Sequence, residues 1–279
     1  DFYGSEPGPG SRLACDVWIR MADAREVIAD LQLVRDTTPW CTIMGWSDHR
    51  FESDAAMWNV MLHPEVNTLS ERTPAGWALY DDGAHRAPSR DWLARRYLSQ
   101  QERQSMRDSG PRRARAWLNG RIAAKDAVRL HLWQRERRPL FPIEIQLRHD
   151  DAGAPSVQGP FEEDLRISLS HSGDLAVALV CEGHDPGIDV ELVAPRSEAF
   201  GDVAFSPAEQ RLLPGDDTGE WATRFWCAKE AVAKARRSGL GGNPQRFVVT
   251  RVEGERLLLD GLWVDTIRRG EYVIAWTEA

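Results

Sequence analysis

The chain holds 279 residues, 42% hydrophobic and 28% charged, and 43 acidic against 35 basic residues set a formal charge of −8. No apolar run approaches the roughly 18 residues that span a bilayer, which excludes a membrane helix, and the acidic balance argues against nucleic acid as a partner. Four cysteines (Cys15, Cys41, Cys181, Cys227) form no C-x-x-C pair, which excludes a zinc ribbon and points to reduced thiols in a cytoplasmic protein.

In chain order, Gly4, Pro7, Gly8, Pro9 and Gly10 give the opening a linker composition, and with no initiating Met the chain reads as a piece of something longer. Val17, Ile19 and Met21 alternate as in a strand, Val27, Ile28, Leu31 and Val34 follow helical spacing, and Met57, Val60 and Met61 mark a helix after Ser53. Trp46, Asp48, His49 and Arg50 form the one chemical cluster of this region, an arrangement that serves structure as readily as function. A strand is expected over 77–80, then a helix capped by Ser89 or Asp91 and a long helix over 112–133. Strands follow over 143–147, 166–169, 175–181 and 187–192. The remainder is a helix over 220–237 and a β-meander from Phe247 with an Asp260-Gly261 turn. The mixture lacks βαβ regularity, so the fold class is α+β.

Charge is segregated along the chain. Residues 111–138 carry nine basic side chains, among them Arg112, Arg113, Arg115 and Arg137, against Asp126 and Glu136. Arg121, Lys125 and Arg129 recur every four residues, a candidate polyanion-binding face or a solvated one. Residues 181–221 invert the sign with ten acidic residues, Asp216 and Asp217 included. Within them Asp189 and Glu191 share one strand face, with Ile188, Val190 and Leu192 turned to the core. Two like charges side by side suit a hard cation such as magnesium, or an exposed strand. In the helix that follows, Phe225, Ala228, Val232 and Ala235 form an apolar stripe, leaving Trp226, Glu230 and Lys234 on another face. Ser170 and His171 point to opposite faces of a strand and no Gly-x-Ser-x-Gly occurs, so a serine hydrolase is rejected.

Taken in order, Arg121 with Lys125, Ser170-His171-Ser172, Gly187-Ile188-Asp189-Val190-Glu191 and Trp226-Cys227-Ala228-Lys229-Glu230-x3-Lys234 closely resemble the 4′-phosphopantetheinyl transferase superfamily, from Leu98 onward. The resemblance implies the monomeric surfactin-type branch, a pseudo-two-fold pair of similar α+β halves at 76–182 and 183–279 behind an N-terminal extension, 1–75. It implies Mg²⁺-dependent transfer of phosphopantetheine from coenzyme A to a serine of an acyl carrier protein, releasing adenosine 3′,5′-bisphosphate. By the same resemblance Asp189, Glu191 and Glu230 hold the Mg²⁺, Glu230 is the base and Lys234 stabilises the leaving phosphate oxygen. Arg121, Lys125, His171 and Lys229 contact CoA. Ala154 departs from the pattern, because the family carries Lys or Arg between the glycine and proline of Gly153-Ala154-Pro155. The extension resembles, in style, part of an iterative polyketide synthase, so the expected partner is a carrier domain of the same synthase. The alternative is a catalytically idle CoA-binding docking domain.

Overall fold

The computed structural model describes residues 1–24, 26–49, 55–84, 90–136, 138–150, 153–215 and 219–278; Arg50, Ser89, Arg137, Asp216 and Asp217 lie outside them. The chain divides into two compact units, Asp1–Glu52 and Ser53–Ala279.

The first unit is an antiparallel meander of β1 (Ala14–Ala22), β2 (Glu26–Arg35) and β3 (Thr38–His49). The helix expected through Val27, Ile28, Leu31 and Val34 is therefore strand β2. Its apolar spacing satisfies a helix, yet β-branched Val27, Ile28 and Val34 suit a pleated surface, and β1 and β3 offer ladders on both sides. Asp30, buried in β2, accepts from the Gly45 backbone N–H at 2.8 Å and from the Arg20 guanidinium at 2.6 Å. The Gly45 N–H is the main reason its carboxyl lies below the usual range. His49 meets Ser47 and Glu26 on an exposed surface, so the described part of the Trp46 cluster is a surface contact network.

The second unit begins with α1 (Ala55–Leu62), β4 (Glu71–Arg72), β5 (Ala78–Asp81), α2 (Arg90–Tyr97), α3 (Gln100–Arg107) and α4 (Pro111–Leu132). It continues with β6 (Gln146–His149), β7 (Pro155–Gln158), β8 (Leu165–Ser172), β9 (Leu175–Glu182) and β10 (Ile188–Leu192). Then come α5 (Glu198–Ala204), α6 (Pro207–Leu212), α7 (Glu220–Ala235), β11 (Val249–Glu253), β12 (Arg256–Leu259), β13 (Leu262–Arg269) and β14 (Tyr272–Thr277). Local sequence explains several boundaries. Ser99 with Glu102, and Ser206 with Glu209, close reciprocal capping boxes at α3 and α6. Asp260 and Gly261, both at positive φ, form the two-residue turn pairing Leu259 with Leu262, the geometry right-twisted hairpins favour.

These elements make two antiparallel sheets, ordered β4-β5-β9-β8-β7-β6 and β10-β14-β13-β12-β11. Helix α4 packs on the first and α7 on the second, an α+β arrangement with one long helix per sheet. The alternation of β9 decides how they stack. Ala176, Ala178 and Val180 face the core under α4, while Leu175, Val177, Leu179 and Cys181 join Ile188, Val190 and Ile274 in a separate cluster between the sheets.

Because α1, α2 and α3 cover the outside of α4, Leu118 through Arg129 is buried almost all round. Arg121, Lys125 and Arg129 therefore lie inside and form no solvated basic face. Asp126 accepts from Arg129 at 3.1 Å, from the Tyr97 hydroxyl at 3.1 Å and from the backbone N–H groups of Leu69 and Ser70. Arg129 in turn donates to the carbonyls of Pro64 and Asn67. One buried ion pair thereby fastens residues 64–70 to α4. Removing one partner of such a pair leaves an uncompensated charge in the interior, so Asp126→Ala should cost about 3–5 kcal/mol in urea denaturation.

Candidate active site

The site forms where β8, β10 and α7 meet, and a glycine allows it. A Cβ on Gly187 would stand inside van der Waals contact with the Ala231 carbonyl oxygen and 3.2 Å from the Ala235 Cβ, so α7 lies directly against the start of β10. Lys234 can then cross the gap. Its Nζ donates to the carbonyls of Ile188 at 3.0 Å and Leu169 at 3.4 Å and to Asp189 Oδ1 at 2.8 Å, tying the two sheets together. Ser170 Oγ donates to the same Asp189 oxygen at 2.7 Å, and Ser168 Oγ accepts from Ile188 N–H at 3.1 Å. Ser170 thus orients a carboxylate, a role its strand position offers and the reading above left unassigned.

Asp189 and Glu191 alternate onto one side of β10 as expected, with Ile188 and Val190 buried opposite; Leu192 departs, being 43% exposed. On α7 the half-buried residues include Trp226, Glu230 and Lys234, one face as the spacing predicts. The carboxylates feel one another. Burial and then the Asp189 charge push Glu191 above the usual range, against Arg196, Lys234 and the Trp226 indole. Burial and Asp189 push Glu230 up likewise, with Glu191 adding and Lys234 opposing. Asp189 Oδ2 is buried with no hydrogen-bond partner among the described residues.

Among the described residues, no group of three His, Cys, Asp or Glu side chains is gathered closely enough to hold a metal ion. The donor chemistry nevertheless suits a hard divalent cation: an orphaned carboxylate oxygen and two carboxylates raised by burial and then by like charge are what such an ion relieves.

The other expected ligand residues divide. Arg121 is buried, stacked 4.3 Å over Trp117 and 3.7 Å from Glu102, and its Nε has no hydrogen-bond partner. A buried guanidinium with an unused donor suits an anion. His171 is exposed beside α4, its ring 3.5 Å from where a Gly120 Cβ would stand, and burial and then Lys234 lower its pKa. Arg121 and His171 therefore flank adjacent positions of α4. Lys125 and Lys229 turn inward in this structure. Lys125 is fully buried, donating to the Tyr97 carbonyl at 2.8 Å and Glu102 at 2.7 Å. Lys229 is fully buried on Glu209 at 2.7 Å and on the carbonyls of Ala204 and Pro244. Each is spent on an internal carboxylate, because it lies on the core side of its helix.

Sequence reasoning missed a cavity of about 300 Å³ beside Lys234, walled by His149, Gly153, Ala154, Leu169, Asp185 and Arg237 among others. Its residues come from separated segments with no shared motif.

A profile of the 4′-phosphopantetheinyl transferase superfamily matches residues 185–277. A holo-[acyl-carrier-protein] synthase of Streptococcus agalactiae serotype III is 37% identical over 90 residues, 32% of this chain and 75% of that protein. The 4′-phosphopantetheinyl transferase HetI of Nostoc is 32% identical over 105 residues, and AcpT of Escherichia coli 32% identical over 144. These alignments take in 36% and 50% of this chain, and the chain spans 44% and 64% of those proteins. A crystal structure of a holo-(acyl-carrier-protein) synthase from Bacillus anthracis in complex with CoA (3′,5′-ADP) is 26% identical, covering 38% of this chain and 90% of that one, with a TM-score of 0.33. The chain belongs to the 4′-phosphopantetheinyl transferase superfamily.

The contact at Gly187 makes a prediction. Gly187→Ala should destabilise the protein by about 1–3 kcal/mol, as overpacking does. Gly201→Ala in α5, where the added methyl meets nothing within 4 Å, should be neutral or stabilising by thermal unfolding.

Proposed function

We propose that the protein transfers 4′-phosphopantetheine from coenzyme A to a serine of an acyl carrier protein. The observation that carries this reading is the convergence of Asp189, Glu191, Glu230 and Lys234 on one junction, with an orphaned carboxylate oxygen among them. In the reaction the serine oxygen attacks the phosphorus bearing pantetheine, the bond to the bridging pyrophosphate oxygen breaks, and adenosine 3′,5′-bisphosphate leaves. Asp189, Glu191 and Glu230 would hold a Mg²⁺ ion, which when bound neutralises charge on the pyrophosphate. Glu230, raised above the usual carboxylate range, is the base that takes the serine proton, directly or through a water. Lys234, one turn further along α7, keeps its ammonium beside the leaving phosphate oxygen. Arg121 offers its unused Nε, and His171 its ring, to the 3′-phosphate. The length of the chain and the Asp-x-Glu strand favour the surfactin-type branch, and a carrier domain of the same polyketide synthase is the proposed partner. Tethering would raise the effective concentration of such a carrier to about mM.

Incubation with CoA, Mg²⁺ and an apo carrier should add the mass of one phosphopantetheine. CoA binding without transfer would instead favour an idle docking domain. Glu230→Gln keeps the side chain's size but loses charge and basicity together, so loading should fall by about 10²-fold or more while calorimetry still detects CoA. Arg121→Ala should weaken CoA by about 1.5–3 kcal/mol and erase most of the preference over dephospho-CoA. Retention of the wild-type preference would remove Arg121 from the 3′-phosphate.

A further inference from the structure

The cavity beside Lys234 has a cation at its mouth that the reaction above does not use. Arg237 follows the end of α7, where its backbone N–H donates to the Lys234 carbonyl at 2.9 Å, and it sits at φ 50°. That left-handed conformation is unfavourable for a side chain with a Cβ and is where helices commonly place glycine. Its guanidinium reaches across the cavity instead. Nη1 donates to Asp185 Oδ1 at 3.1 Å, in the segment before β10, and Nη2 donates to Asp150 Oδ2. The other oxygen of Asp150 accepts from Ala154 N–H at 2.8 Å, and Asp150 N–H and carbonyl bond Ala154 and Gly153. Arg237 thus holds the β6–β7 turn through Asp150, and that turn is the cavity wall formed by Gly153 and Ala154. Ala154 itself contributes no charge.

The electrostatics give the arrangement a purpose. Asp185 and Arg237 line the cavity, and Asp150, bonded to the same guanidinium, is the second carboxylate that Arg237 compensates beside it. The two carboxylates hold the Arg237 guanidinium above its usual pKa. His149 also lines the cavity and lies within electrostatic reach of Arg121, burial and Arg121 both lowering its pKa. The cavity therefore lies between the proposed 3′-phosphate contact and Lys234.

We propose that Arg237 is a positioning residue that admits the anionic end of CoA to this cavity, cancelling Asp150 and Asp185 and, through Asp150, fixing Gly153 and Ala154 as part of the wall. The inference rests on CoA being the substrate.

The test compares wild type, Arg237→Gly, and Arg237→Gly combined with Ala154→Lys, which returns a cation to the same wall. Calorimetry with CoA at low and high salt, steady-state carrier loading and thermal unfolding are read together. Glycine suits the left-handed backbone, so the single variant should keep its melting temperature within a few degrees. Its Kd for CoA should rise about tenfold at low salt and less at high salt, because the exposed carboxylates act through a screened field. KM for CoA should rise in parallel with kcat changed less than about twofold, and Ala154→Lys should recover most of the affinity. Should the glycine variant fold poorly, Arg237→Asn, which also tolerates this conformation, must show the same affinity loss. A Kd within twofold of wild type, or a loss that follows the melting temperature and is not rescued at 154, overturns the proposal. A wild-type protein that binds no CoA overturns the reading beneath it; one that binds and loads normally beside an unaffected Arg237→Gly overturns only the role of Arg237.

Discussion

The missing side chain at Gly187 is the constraint on which the second unit depends. Only a residue without Cβ lets the Ala231 turn of α7 touch the start of β10, and that approach sets the reach of every group beyond it. Lys234 spans to carbonyls on β8 and β10, so both sheets are pinned by one ammonium. Glu230, a turn earlier, comes within electrostatic range of Asp189. A bulkier residue at 187 would move α7 outward and separate the carboxylates on the strand from those on the helix.

Charge inside this protein is neutralised locally. Arg129 with Asp126 on the same helix, Lys125 with Glu102, Lys229 with Glu209, and Arg224 with Glu220 and Glu255 each place a buried cation against a carboxylate. Glu102 and Glu209 also close the capping boxes of α3 and α6, so one carboxylate satisfies both a helix end and a buried ammonium. Pairs of this kind contribute little net stability against an apolar core, but breaking one is costly, which makes them registers for how helices dock. The junction of β8, β10 and α7 departs from this pattern, because its carboxylates outnumber its cations. Burial, and then that imbalance, raises Glu191 and Glu230, which marks a candidate site off from the scaffold.

Much of the architecture was legible from local patterns. The alternation of β10, the 3.6-residue face of α7, the Asp260-Gly261 hairpin and strands β5, β8 and β9 follow from short-range stereochemistry and stand close to their expected places, whereas β4 and β7 were not expected and the strand expected over 143–147 starts with a 3-10 turn at Pro142–Glu144 and becomes β6 at Gln146–His149. Period also placed Asp189 with Glu191 on one strand face and Glu230 with Lys234 on one helix face, whereas their grouping into one set came from the family resemblance.

What the sequence could not decide is which side of an element meets another element. β2 carries a spacing compatible with a helix, and it became a strand because β1 and β3 flank it with unpaired backbone. Lys125 and Lys229 sit in cationic motifs, yet each faces the interior, where its counter-charge comes from a residue distant in sequence. The cavity that joins Ala154, Asp185 and Arg237 has no signature at all. Periodicity assigns residues to a face, whereas burial and charge compensation depend on what packs against it, and only the tertiary fold supplies that partner.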